Sequence, residues 1–274
     1  MSISGVTSLF VGRPVHPIGS DGRMALSDHL RELRARILKV ALILLAGLLV
    51  ALLFFQQVYD VVYGPLQDAR ANLPDGSGLD TTQGPAGGLM LYLKLCGFAA
   101  VVATSPLWLY QIWAFIVPGL HAKEKRWTRV FAAIAGPLFL GGVALGYVTL
   151  AKGLEILIGL NPPGLTNLVE FNEYLQFFSR TLLVFGISFE IPLFVILLNL
   201  AGVISGKALA AYRPWIIVGT FVFAAIATPS ADPFTMTIMA APMVILFLVS
   251  EVIARSNDRR RAKHRAELVA TADA

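Results

Sequence analysis

The sequence predicts an all-α polytopic membrane protein with six transmembrane helices and both termini on the inner side. Hydrophobic residues make up 56% of the 274-residue chain, charged residues make up only 14%, and the mean hydropathy is +0.71. Several apolar runs reach the roughly 20 residues that a helix needs to cross a hydrocarbon core. Because lipid offers the backbone no hydrogen bonds, these runs are expected to form helices within one integral domain.

Three segments are expected along the chain. Residues 1–24 contain Pro14 and Pro17 and have no apolar stretch long enough for a signal peptide, so they are predicted to be a flexible N-terminal segment. Residues 25–254 form the six-span membrane domain. Residues 255–274 are rich in Arg and Lys and are predicted to be a basic cytoplasmic tail.

A short charged motif precedes the first apolar run. Residues 29–34 read His-Leu-Arg-Glu-Leu-Arg, so Glu32 is a single carboxylate among cations at a membrane edge. The motif favours an interfacial helix with Asp28 as its N-cap. Glu32 has two interpretations: it pairs with Arg36 four residues later, or it binds a cationic partner.

The six spans are predicted at 37–58, 90–117, 128–151, 173–200, 213–229 and 234–254. Most of the 22 Lys and Arg residues lie before the first span, after the second and fourth spans, or after the last. The opposite loops hold Arg70 and Lys152 against several acids. The positive-inside rule therefore predicts cytoplasmic termini. Prolines within the spans, at Pro106, Pro137, Pro192 and Pro242, predict kinked helices, which suggest a curved wall and not a straight bundle.

A second acidic residue among cations follows span two. Residues 110–120 form an aromatic interface belt that includes Phe115 and ends in a Pro-Gly turn. Glu124 follows, between two lysines. It is either an ordinary solvated residue or, with Glu32, one of two carboxylates for a cationic ligand.

Glu190 lies inside span four, two residues before Pro192. An ionisable group at membrane depth is costly and is a functional candidate by default. Pro192 removes a hydrogen bond to the Ser188 carbonyl, which favours a kink beside the acid. The alternative is a protonated carboxyl that is hydrogen-bonded within the bundle.

Several kinds of chemistry lack support in the sequence. Residues 202–207 have one spacer too few for a phosphate-binding loop, and the four histidines have no metal-ligand spacing. The single cysteine, Cys96, excludes an intramolecular disulfide. Basic residues cluster at the ends of apolar segments, so they indicate membrane topology and no nucleic-acid binding. We expect no enzyme activity and no cofactor.

The chain resembles the TatC family of twin-arginine translocase subunits from about residue 27 to 251. The resemblance rests on His-Leu-x-Glu-Leu-Arg at 29–34, Tyr-Gln-x-Trp-x-Phe at 110–115, Phe-Gly-x-x-Phe-Glu-x-Pro at 185–192, and Thr228-Pro229 with Asp232. Together and in this order, these blocks are highly specific. The last one departs from the familiar pattern, because its turn is one residue longer and Met236 stands where a glutamine is usual.

The resemblance implies a cupped bundle of six helices in the bacterial cell membrane, with both termini inside. This receptor would bind signal peptides with paired arginines and export folded proteins using the proton-motive force. It implies single-span partners, TatA and TatB, and a homo-oligomer within the receptor complex. Glu32 and Glu124 would line the signal-peptide site, flanked by Arg34 and Phe115. Thr228, Asp232 and Met236 would dock the partners.

Two other classes of function stay open on the residues alone. In a proton-coupled secondary transporter of a small solute, Glu190 would be the coupling carboxylate. An intramembrane enzyme is a more distant alternative, because neither a nucleophile with its base nor a metal set is evident.

Overall fold

The computed structural model describes residues 26–71, 79–81, 87–120, 125–159, 168–227 and 233–272. These residues are almost entirely helical, which confirms the predicted all-α class. The helices are α1 (Leu26–Leu53), α2 (Phe55–Ala71), α3 (Gly87–Ala103), α4 (Ser105–Leu120), α5 (Lys125–Gly159), α6 (Phe171–Leu200), α7 (Gly206–Ala211), α8 (Arg213–Ala227) and α9 (Pro233–Ala272). Two short strands, β1 (Leu79–Thr81) and β2 (Leu168–Glu170), pair in parallel with Leu79 opposite Leu168.

Within the described residues, four helices are long and apolar enough to cross a membrane. They contain the stretches Ser27–Leu53, Val130–Glu155, Phe171–Leu200 and Met236–Lys263. The pair α3 and α4 passes the same test when it is counted as one bent span, and α8 is a shorter apolar helix. The chain is therefore a multi-pass membrane protein, while the count of six crossings stays a prediction.

The helix that contains the first predicted span, at 37–58, starts before the predicted limit and breaks before its end, while the limits of the membrane crossing stay a prediction. Helix α1 already begins at Leu26, and it separates from α2 at Phe54, whose N–H donates to the Ala51 carbonyl three residues back at 3.2 Å. The composition turns polar just beyond, where Gln56 donates to Asp60 at 2.9 Å. The break thus lies where the sequence changes from apolar to polar, and neither a proline nor a glycine is present at it.

The chain folds into two compact units. The first comprises Met1–Leu140 and Leu154–Ser179, and the second comprises Gly141–Gly153 and Arg180–Ala274. Helices α1 to α4 thus belong to the first unit and α7 to α9 to the second, while α5 and α6 contribute residues to both.

The first unit is built around α1, which packs against α3 and α4. Gly47 permits this contact, because a Cβ atom there would lie 2.6 Å from the Thr104 side chain and 3.3 Å from the Ala100 side chain. Small residues at helix contacts are typical of membranes, where close packing replaces hydrophobic burial as the driving force. Other apolar side chains of α1 are exposed, as expected of a lipid-facing surface, among them Leu42, Leu45 and Leu49.

The predicted second span, at 90–117, is a broken helix. The axes of α3 and α4 differ by 58°. Pro106 has no N–H to donate one turn back and its ring crowds the preceding turn, so the kink expected there is confirmed. The Trp108 indole donates to the Val101 carbonyl at 2.8 Å, which satisfies an acceptor at the break. Helices α5, α6 and α9 continue past Pro137, Pro192 and Pro242.

Aromatic side chains join α2, α3 and the start of α6 in the first unit. The Tyr174 hydroxyl donates to the Val62 carbonyl at 2.6 Å, and both residues are buried. Phe55 and Tyr92 stack with ring centroids 3.6 Å apart. Buried hydroxyls need such acceptors, so this contact fixes α2 against α6.

The second unit has a core between α6, α8 and α9. Phe185 packs with Ala224, Met239, Ala240 and Met243, and all five are buried. Two glycines of α5 allow the close approach of α6: a Cβ atom at Gly142 would lie 2.6 Å from the Phe185 carbonyl oxygen, and one at Gly146 would lie 3.0 Å from the Phe185 Cβ.

Helix α9 is longer than the predicted sixth span at 234–254. It continues from Pro233 to Ala272, so the basic residues expected in a cytoplasmic tail extend the same helix. Arg and Lys are good helix formers, which is consistent with this continuation.

Candidate functional site

Glu32 lies in the second turn of α1 and accepts a guanidinium group. Arg36 donates to its Oε1 atom from Nε at 3.0 Å and from Nη2 at 2.5 Å. The two side chains are 21% and 20% exposed. A four-residue spacing places them on one helix face, so the local pairing proposed from the sequence is present. The carboxylate is therefore oriented to receive a planar cation.

His29 connects this part of α1 to α4. Its ring stacks on Phe115 with centroids 4.5 Å apart and an interplanar angle of 20°. Because His29 precedes Glu32 by three residues, the stack and the ion pair share one side of α1. The contact brings Phe115, predicted from the aromatic block, beside the charged motif.

A groove of about 360 Å³ lies between α1 and α4 and is lined by residues of both helices. Its lining residues are Leu33, Arg36, Ile37, Val40, Gln111, Ile112 and Phe115. Apart from Arg36 and Gln111, these side chains are apolar. Because Arg36 both lines the groove and binds Glu32, the ion pair lies at the edge of an apolar surface. This arrangement suits a chain segment that carries cations next to apolar residues.

Of the remaining predicted residues of this site, Arg34 lies on another face of α1 from Glu32. Arg34 is exposed, and a two-residue step places it about 200° around the helix from Glu32. Glu124 lies outside the described residues, between the end of α4 at Leu120 and the start of α5 at Lys125.

Asp28 does not cap α1 as the sequence predicted. The helix begins two residues earlier, at Leu26, so Asp28 falls in its first turn. Its side chain is buried, at 2% exposure, on the same part of α1 as His29. A carboxylate in the first turn still complements the positive end of the helix dipole.

Glu190 lies on α6 in the second unit and is half-buried. Two residues before Glu190, the Ser188 hydroxyl donates to the Val184 carbonyl at 2.6 Å. Pro192 follows within the same continuous helix. The acid thus lies within an apolar helix, at a place where the backbone hydrogen-bond ladder is interrupted.

Of the three residues predicted to dock partners, Met236 alone is described. It lies in the first turn of α9, is half-buried and packs against the cluster around Phe185. Thr228 and Asp232 lie outside the described residues, between α8 and α9.

A buried carboxylate on α9 was not predicted from the sequence. Glu251, with a side chain that is 3% exposed, receives Arg213 of α8 at 2.9 Å and 2.7 Å, and Arg255 at 2.6 Å. The bidentate geometry matches the guanidinium fork to the carboxylate. The sequence did contain a signal for this pair: Glu251 is a single acid near the end of the sixth predicted span, and Arg213 stands at the start of the fifth.

No metal site accompanies these groups within the described residues. There, no three His, Cys, Asp or Glu side chains lie close enough together to hold a metal ion. The ion pairs described above join a carboxylate to a guanidinium group: Glu32 with Arg36, and Glu251 with Arg213 and Arg255.

Residues 28–242 match the model of a protein family described as Sec-independent protein translocase protein (TatC). The match includes the α1–α4 groove and Glu190, and it ends within α9. It therefore covers both acids that the structure describes among the predicted functional residues.

Individual proteins of the same description are similar over most of the chain. The TatC protein of Frankia casuarinae is 42% identical over 250 residues, which cover 89% of this chain and 69% of that relative. The TatC protein of Xylanimonas cellulosilytica is 38% identical over 252 residues, which cover 92% of this chain and 91% of that relative. A crystal structure of the twin-arginine translocase receptor TatC in DDM has a TM-score of 0.71 and 30% identity, and the match covers 82% of this chain and 99% of that one.

Proposed function

This chain belongs to the TatC family of Sec-independent protein translocases, and we propose on that basis that it is the signal-peptide receptor of a twin-arginine translocase. It acts in the bacterial cell membrane with both termini in the cytoplasm. It binds signal peptides with paired arginines and takes part in exporting folded proteins, driven by the proton-motive force.

The observation that carries the proposal is the guanidinium already bound at Glu32. Arg36 reaches this carboxylate with two N–H groups at the edge of the α1–α4 groove. Carboxylates bind arginine in a forked geometry that lysine cannot reproduce. A peptide arginine that displaces Arg36 would donate to the same Glu32 carboxylate. An apolar residue next to that arginine in the peptide would then pack in the α1–α4 groove.

Glu124 supplies the second carboxylate of the proposed site. It follows α4, the helix that carries Phe115, by a few residues in sequence. Two acids for two arginines match the charge of the ligand, and the neighbouring cations disfavour cationic peptides that cannot bind a carboxylate through two N–H groups.

The proposal is tested with the variants Glu32→Gln and Glu124→Gln. A labelled Arg-Arg signal peptide is titrated into purified protein in detergent, with a Lys-Lys peptide as the ligand control. Each variant should weaken Arg-Arg binding by about 1.5–3 kcal/mol, or roughly 10- to 150-fold, and the Lys-Lys peptide much less.

Glu267→Gln is the matched protein control, since it removes an exposed carboxylate from the distal part of α9. It should bind the Arg-Arg peptide as the unmodified protein does. Equal binding by the double variant Glu32→Gln/Glu124→Gln and the unmodified protein would exclude these acids as the recognition site.

The proposed partners are the single-span subunits TatA and TatB and further copies of this chain. Docking is assigned to the segment between α8 and α9 and to the first turn of α9, with Thr228, Asp232 and Met236 as contact points. Helix association in lipid depends on close packing and polar contacts, worth about 0.6–2 kcal/mol each. Met236 is half-buried against the Phe185 cluster, so part of its side chain is left for a partner.

Cysteine crosslinking tests the docking assignment. Cysteines at positions 228 and 236, in a Cys96→Ala background, should crosslink to the transmembrane helix of a partner. Positions 45 and 134 are controls, since Leu45 and Ile134 are exposed on α1 and α5. Crosslinks from the control positions alone would place the docking surface elsewhere.

A further inference from the structure

The distal part of α9 carries a basic groove that the proposed function does not use. Its volume is about 530 Å³, and its lining residues are Val252, Arg255, Ser256, Arg259, Arg260 and Lys263. Four of these six residues are cations. Arg255 forms an ion pair with Glu251. The other three cations, Arg259, Arg260 and Lys263, are exposed.

The opposite face of α9 is tied to the second unit, which fixes the direction of the groove. Asp258 accepts from the Asn199 side chain at 2.9 Å and from the Gly206 backbone N–H at 2.6 Å. Arg261 donates to the carbonyls of Asn199 and Leu200. At 100° per residue, Asp258 lies about 100° around the helix from Arg259 and about 140° from Lys263, and Arg261 lies about 160° from both. Arg259 and Lys263 thus lie on a different face of α9 from these anchors, and both are exposed.

An apolar strip leads along α9 into the groove. Ile245, Val249 and Val252 are 60%, 49% and 67% exposed, and helical spacing places them on the same face as Arg259 and Lys263. They belong to the stretch of α9 that is apolar enough to cross a membrane. The groove therefore lies where a membrane-spanning surface changes to a cationic one.

We propose that this groove binds the phosphate headgroup of an anionic phospholipid, with the acyl chains along Ile245, Val249 and Val252. Guanidinium groups bind phosphate oxygens in a forked geometry, and each Arg or Lys near a membrane surface adds attraction to anionic lipid. The apolar strip distinguishes a lipid from a soluble anion, because a free phosphate would gain nothing from it. The site is independent of the signal-peptide site, since it shares no residue with it.

Native mass spectrometry of the full chain tests the proposal. The protein is purified in micelles that contain phosphatidylcholine doped with phosphatidylglycerol, and the retained lipid is counted. The variant Arg259→Gln/Arg260→Gln is compared with Arg31→Gln/Lys207→Gln, which removes two exposed cations from α1 and α7. The groove variant should retain phosphatidylglycerol at least about fivefold less well, and the control variant should be nearly unchanged.

Other outcomes would overturn the proposal. Equal loss in both variants would mean general surface attraction, and displacement of the lipid by millimolar inorganic phosphate would assign the groove to a soluble anion. Val252→Asn keeps every cation and should also lower phosphatidylglycerol retention, which keeps the test decisive if the double variant folds poorly. Unchanged retention in Val252→Asn would exclude the acyl-chain strip.

Discussion

Arg36 holds Glu32 by two hydrogen bonds to a single carboxylate oxygen, from Nε at 3.0 Å and from Nη2 at 2.5 Å. An arginine of the chain thus occupies the group proposed to receive an arginine of the signal peptide. A bound peptide must displace Arg36 from Glu32 or share the carboxylate with it. The Glu32–Arg36 ion pair therefore competes with the peptide, so only a ligand that binds the carboxylate better than Arg36 does can displace it.

The variant Arg36→Gln should bind the Arg-Arg peptide about twofold more tightly, because an ion pair at this spacing contributes roughly 0.2–0.5 kcal/mol. Fluorescence anisotropy with the labelled peptide measures the change. Lys39→Gln is the matched control, since it removes a half-buried cation from the same helix. Weaker binding by Arg36→Gln would show that Arg36 supports the ligand and does not compete with it.

The sequence predicted the features that depend on neighbouring residues. Apolar runs located the helices, Pro106 located the bend between α3 and α4, and the spacing of Glu32 and Arg36 predicted their pairing. Each of these follows from helix geometry over one or two turns, so it needs no knowledge of the fold.

Contacts between distant segments were not predictable in the same way. The stack of His29 on Phe115 depends on how α1 packs against α4. The pairing of Glu251 with Arg213 likewise depends on the packing of α8 against α9. The break at Phe54 lacks a glycine or proline, so local rules gave no warning of it.

The proposed topology predicts a labelling pattern in intact cells. Cysteines at Asn72 and Asn167 should react with a membrane-impermeant maleimide, and cysteines at Ala122 and Ser256 should not. The reason is the concentration of Lys and Arg on the side that contains both termini. Cys96→Ala removes the native thiol, which is buried. External labelling at position 122 would overturn the assignment of six spans.

Close packing of α5 against α6 predicts a difference between two adjacent glycines. Gly142→Ala should lower the free energy of unfolding by about 1–3 kcal/mol, because its Cβ atom would lie 2.6 Å from the Phe185 carbonyl oxygen. Gly141→Ala is the control, since a Cβ atom there has no neighbour within 4 Å among the described residues. Thermal unfolding in detergent measures both, and equal melting temperatures would contradict the contact.

The ion pairs around Glu251 should stabilise the second unit. Arg213→Gln leaves a buried carboxylate with Arg255 alone, and should lower the melting temperature. The loss should be smaller than for a fully buried pair, because the Arg213 side chain is 43% exposed. Lys207→Gln removes an exposed cation from α7 and should leave the melting temperature nearly unchanged. An equal effect of both variants would indicate a general charge effect.

Glu190 should act in transport and not in signal-peptide recognition. It lies on α6, in the second unit, whereas Glu32 and the groove belong to the first. Glu190→Ala should leave Arg-Arg peptide binding unchanged and reduce export of a folded reporter, since it removes a half-buried polar group from an apolar helix.

The variant Glu190→Gln separates the two roles open to this carboxyl. A Gln keeps the size and hydrogen bonding of the side chain but cannot ionise. If Glu190→Gln exports the reporter and Glu190→Ala does not, the side chain is needed for a polar contact. If both variants lose export, the ability of the carboxyl to bind and release a proton is needed. Wild-type export by Glu190→Ala would reduce the residue to a structural role.

Because the reporter carries an Arg-Arg signal, export that does not depend on this chain at all would instead favour a solute transporter, in which Glu190 couples proton movement to a small substrate.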